Sequence, residues 1–116
     1  MSILGFKNPN IAGFMKLNKG GILMINFFDI EEDNIAIGFD NNIQLQELIK
    51  YLNAFDYTYG TTKDNLNEIK INYFTKDNYF LSLDRSKAHH SRNYASCGLG
   101  YKDKVYMFKD IDWSIN

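Results

Sequence analysis

Apolar and polar positions follow a helical period in one stretch of the chain, Asp40 to Phe55, and strand-like or mixed spacing elsewhere. Leu45, Leu48, Ile49, Leu52 and Phe55 share one face of that stretch, while Gln44, Gln46, Glu47, Lys50 and Asn53 occupy the other. Asp40, Asn41 and Asn42 are each suited to capping it, and Asn41 with Gln44 has the spacing of a capping box. A single amphipathic helix is therefore expected, and its apolar face needs a sheet to cover it.

The flanking segments predict that sheet. Ile3–Phe6 and Ile11–Leu17 read as short strands ahead of a turn at 18–21. The run ILMINFFDI at 22–30 has the length and residue types of a strand. An acidic turn at 29–34 then returns the chain through Ile35, Ile37 and Phe39, which predicts a hairpin leading into the helix. Beyond the helix, 56–67 reads as a loop with a short helical turn near 62–66, and 68–74 with 78–83 as a second hairpin closed at Lys76 and Asp77. Residues 85–96 break the strand pattern as a loop or short helix. Ile111, Trp113 and Ile115 alternate with polar residues in a last strand, which turns the single tryptophan inward.

The two expected hairpins resemble each other. INFF at 25–28 matches INYF at 71–74 and DNIAIGFD at 33–40 matches DNYFLSLD at 77–84, with six of twelve aligned positions identical. Duplication of a hairpin is one account of this, and strand chemistry under AT-rich coding is the other. Either way the fold class expected is α+β: an antiparallel sheet of five or six strands with one amphipathic helix packed on one face.

With 116 residues the chain has the size of one domain, 1–116, and its 45% apolar content supports a packed core. The formal charge of −1 argues against direct nucleic-acid binding and a polybasic membrane anchor. No apolar run approaches the about 20 residues that span a bilayer, and the N-terminal residues lack the apolar core of a signal peptide. A lone cysteine, Cys97, forms no internal disulfide and suits a reducing compartment. A cytoplasmic protein is expected, and the heavy use of Asn, Ile and Lys hints at a bacterial or phage source.

Two segments concentrate chemistry. Asp29, Glu31, Glu32 and Asp33 form an acidic turn that Asp40 would join, and a carboxylate cluster can imitate a phosphate backbone on the basic cleft of a nuclease. Arg85, Lys87, His89, His90, Arg92 and Tyr94 form the alternative, an anion or nucleotide site with a histidine as acid or base. Both segments are also what solvated loops look like. His89, His90 and Cys97 lack the paired spacing of a zinc site, and no phosphate-loop, dinucleotide or hydrolase motif occurs, so no catalytic residue, metal or cofactor is assigned. Paired aromatics at Tyr73–Phe74 and Tyr79–Phe80 leave some aromatic surface away from the helix, which favours protein contact. The function expected is a small non-catalytic inhibitor that binds a protein target, such as a nuclease, as anti-CRISPR or toxin-immunity proteins do. The alternative is a small enzyme or ligand-binding domain using residues 85–94.

Overall fold

The computed structural model describes residues 17, 20–21, 23–31, 34–60, 65–84, 93–100 and 103–114. Its main helix is α2, Asn42–Ala54, and its start follows from local hydrogen bonds. Asn41 Oδ1 accepts from Gln44 N at 2.9 Å, and the Gln44 side chain reaches back one residue beyond the cap, its Oε1 accepting from Asp40 N at 2.8 Å, a shifted form of the capping box. At the other end Asp56 adopts a left-handed φ of 65°, its N–H bonds the Asn53 carbonyl, and Tyr57 N–H bonds that of Leu52 at 2.9 Å. These are the two bonds of a Schellman stop, and they turn the chain inward at Tyr57.

Leu45, Leu48, Ile49 and Leu52 of α2 are buried together with Ile35 and Ile37 of β2 (Ile35–Gly38), Leu81 and Leu83 of β4 (Phe80–Asp84), and Ala95 of β5 (Tyr94–Cys97). β4 alternates half-buried and buried residues along its length, as a strand with one covered face should. β2 is buried at all four positions, so it is an interior strand with both faces covered. Gly38 explains how its second face closes: a Cβ there would lie 2.6 Å from Met107 Sδ and 3.0 Å from the Phe80 ring. A side chain there would have to push that sulfur aside.

The five-stranded sheet has the order β3-β5-β4-β2-β6, with β3 at Thr58–Tyr59 and β6 at Lys104–Met107. It is mixed, whereas the sequence predicts a purely antiparallel sheet. β4 runs antiparallel to β2 and β5, while β6 is parallel to β2 and β3 is parallel to β5. For β3 the physical cause is α2, whose ~20 Å length returns the chain along the sheet, so that β3 starts again in the direction of β2. A separate parallel pair joins β1 (Ile25–Asn26) to β7 (Ile111–Asp112).

Neither predicted hairpin forms. The run at 22–30 contributes only β1 before Asn26 Oδ1 accepts from Phe28 N at 3.0 Å and starts a four-residue helix, α1, Phe27–Ile30. Phe27 and Ile30, three residues apart, then share its buried face. Residues 66–68 and 71–73 are 3-10 turns where the sequence predicts a strand. Asn65 Oδ1 caps the first of them by accepting from Asn67 N at 2.8 Å. β5 begins at Tyr94, inside the segment expected to interrupt the strands. Trp113 is buried as its alternation predicts. Leu17 bridges Leu23 across the expected turn at 18–21, and the strand expected at 3–6 lies outside the described residues.

The internal similarity nevertheless has a structural counterpart. The two INxF segments both enter helical turns, and the strands that follow pair with each other. Ile37 and Leu81, equivalent in the sequence alignment, stand directly opposite in the antiparallel register. That is the relation a local two-fold axis produces.

A polar clasp ties the β5–β6 connection to β4. Ser82 Oγ lies 2.7 Å from the Gly98 carbonyl and 2.6 Å from Asp103 Oδ2, and Gly100 N–H donates to the same carboxylate at 2.7 Å. Replacing Ser82 by alanine leaves the Gly98 carbonyl without the hydroxyl. Urea denaturation should show a loss of about 1–3 kcal/mol for Ser82→Ala.

Candidate functional site

α1 carries the feature that best fits an interaction site. Phe27 is fully buried, with its ring 4.7 Å from Trp113 and 5.6 Å from Phe55, so it anchors the short helix in the core. The next residue therefore points elsewhere: Phe28 is 41% exposed, its ring edge-on to Phe55 at 4.9 Å. Asp29 follows it and is exposed, and Asp56, also exposed, follows Phe55. The result is a half-exposed pair of aromatic rings with a carboxylate beside each in the chain. Leu23 and Ile25, 49% and 41% exposed, extend the apolar surface along the preceding segment.

The acidic turn expected from the sequence is only partly assembled this way. Asp29 is exposed, but Glu31 is half-buried and its Oε2 accepts the Tyr57 hydroxyl at 2.7 Å. That carboxylate holds the end of α1 against the residue that closes α2, which is a structural task. Glu32 and Asp33 lie outside the described residues. Asp40 does not join the cluster, because it follows β2 while the turn precedes it, a separation of roughly 13 Å for four extended residues. Asp40 Oδ2 instead lies 3.7 Å from Lys109 Nζ in an exposed ion pair.

Of the alternative site, Arg85, Lys87, His89, His90 and Arg92 lie outside the described residues. Tyr94 is described, at the start of β5, and its hydroxyl donates to Asp84 Oδ2 at 3.0 Å. Asp84 and Tyr94 are directly opposite in the β4–β5 register, so this bond closes the strand pair at the point from which the basic segment departs. Sequence reasoning missed both Phe28–Phe55 and the role of Tyr57. The signal for the first was present, an Asn at a cap position followed by apolar residues three apart.

Cys97 ends β5, half-buried, with its thiol 3.9 Å from the Tyr59 hydroxyl. Burial pushes the thiol above its ordinary pKa, and the contact with Tyr59 opposes that only in part. Among the described residues no group of three or more His, Cys, Asp or Glu is placed to hold a metal, and no helix is long and apolar enough to cross a membrane. No protein-family model, curated protein or solved structure matches the chain.

A raised thiol pKa leaves less thiolate at any pH below it. Iodoacetamide should therefore alkylate Cys97 in the folded protein several-fold more slowly at pH 8 than in urea, with the rate still rising at pH values where a free thiol has levelled off. Equal rates in the two states would show that the thiol is neither desolvated nor shielded.

Proposed function

We propose that this protein binds another protein and blocks it, as a small non-catalytic bacterial or phage inhibitor of the anti-CRISPR or toxin-immunity type. The observation that carries the reading is Phe28, a large ring 41% exposed on a helix whose neighbouring residue is locked in the core. Burying such a ring against a partner contributes about 1.5–3 kcal/mol, and aromatic anchors of this kind dominate interface energies.

The carboxylates beside the rings set the partner's character. Asp29 and Asp56 favour a surface with apolar pockets and basic surroundings, which the cleft of a nuclease offers. Inhibition on this reading is occlusion: the aromatic pair enters a pocket while the acids take the places of phosphates. The charges steer the encounter and the rings hold the complex.

The test is capture of a partner by the tagged protein from lysates of the source cell and its phage hosts or rivals, with bound proteins identified by mass spectrometry. Phe28→Ala should weaken the complex by about 2–4 kcal/mol, and Asp29→Lys should slow association and reverse its salt dependence. Both substitutions are at exposed positions, so circular dichroism should be unchanged. A partner held equally well by both folded variants would refute the proposed surface.

A further inference from the structure

β6 forms one edge of the five-stranded sheet, and the direction of its backbone groups follows from one bond. Lys104 N–H donates to the Asn34 carbonyl at 2.9 Å, and β6 runs parallel to β2 with Lys104 opposite Ile35. In a parallel ladder alternate residues of a strand bond to the same neighbour, so Lys104 and Tyr106 bond to β2 while Val105 turns its N–H and C=O away from it. Among the described residues neither group of Val105 has a partner, and the residue is 45% exposed. The opposite edge differs: β3 has two residues and ends where Gly60 takes a φ of 66°, which leaves little length to pair with.

We infer that a second copy of this chain adds to this edge, β6 against β6 in the antiparallel sense, so that the two five-stranded sheets become one across a two-fold axis. An open edge is a template for another strand, and an antiparallel pair of identical strands is an arrangement that closes on itself. With the axis at Val105, each Val105 N–H donates to the Val105 carbonyl of the other copy. Growth stops at two, because β3 at the far edge is too short to continue the sheet.

The side chains select that register. Lys104 and Tyr106 stand beside Ile35 and Ile37 on one face of the sheet, and Val105 stands beside Ala36 on the other. With the axis at Val105, Lys104 comes opposite Tyr106 of the other copy, and the two exposed Val105 side chains meet. Moving the axis to Lys104 would set two like charges directly opposite each other, which is destabilising. Moving it to Tyr106 would require Phe108 to extend the strand, and Phe108 already begins the 3-10 turn Phe108–Asp110. The edge lysine, a residue that commonly discourages strand addition, here excludes the competing register. The contact is only about as long as β6, four residues, and falls well short of the about 1,200 Å2 of a stable interface, so association is weak, with a Kd of about 0.1–1 mM.

Proline probes the edge directly. Val105→Pro removes the outward N–H, and proline is tolerated where the N–H of an edge strand faces solvent, so circular dichroism should be unchanged. Sedimentation equilibrium on the untagged protein at up to about 1 mM should show a reversible monomer–dimer equilibrium. Val105→Pro should abolish it, and Val105→Ala, which keeps the N–H, should retain it. In the unaltered chain, NMR should show the Val105 amide exchanging with solvent about two- to fivefold more slowly at about 1 mM than at about 20 μM, as the dimer becomes populated. The Tyr106 amide, already bonded to β2, should not respond.

A protein that stays monomeric at about 1 mM, a Val105 amide whose exchange is independent of concentration, or a dimer undiminished in folded Val105→Pro would each overturn the inference. The exchange measurement uses no variant, so it decides the matter even where the proline variant fails to fold. Pairing through β6 does not depend on what Phe28 binds, so the inhibitor reading stands or falls separately.

Discussion

Burial of four α2 residues, Leu45, Leu48, Ile49 and Leu52, against the β2–β4 pair is the constraint on which the remaining architecture depends. Each such side chain contributes about 1.5–3 kcal/mol when taken out of water, and the stripe is continuous over two turns. Because the helix must lie on that pair, the chain leaves β2 at one end of the sheet and comes back along the helix. β3 is thereby set parallel to the strand it came from. The same burial requires the opposite side of β2 to be closed, which Met107 and Phe80 accomplish by packing where Gly38 has no side chain.

The helix was legible because its signals agree with one another: an apolar period of 3.6, a capping pair at Asn41 and Gln44, and a polar opposite face. β2 and β4 were legible because their alternation is strict at Ile35, Ile37, Leu81 and Leu83. α1 was not, since four apolar and acidic residues fit a strand period and a helical i, i+3 period equally well. What decided the matter was Asn26, whose side chain offers the Phe28 N–H a bond that a strand would have to find elsewhere. Asn65 acts in the same way before the 3-10 turn at 66–68. The parallel placement of β6 depends on partners some 70 residues apart in the chain, and no local pattern encodes that.

The candidate site divides along the same line. That Asp29 would be exposed follows from its place in an acidic turn. That Glu31 would be bonded to Tyr57 does not, because 26 residues separate them and the bond depends on how α2 ends. The expectation of aromatic surface away from the helix holds for one named pair, where Tyr73 is exposed while Phe74 packs on Phe39, and it missed Phe28. Tyr79 also packs on Phe39, and among the described residues the exposed aromatic rings are Tyr73 and Phe28. Phe28 had been assigned to a strand, where it would have been one of an alternating series with nothing to mark it.

What makes α1 more than an exposed phenylalanine is the contrast between adjacent residues. A four-residue helix has no stability of its own, since nucleation is unfavourable and one turn adds little to offset it. It persists because Phe27 is held between Trp113 and Phe55 and because Glu31 is tied to Tyr57, fixing both ends to the core. Phe28 is therefore presented on a rigid backbone, and its ring is already restrained by Phe55 before any partner arrives. Ordering a side chain on binding costs about 0.5–1.5 kcal/mol, and much of that cost is met here in folding.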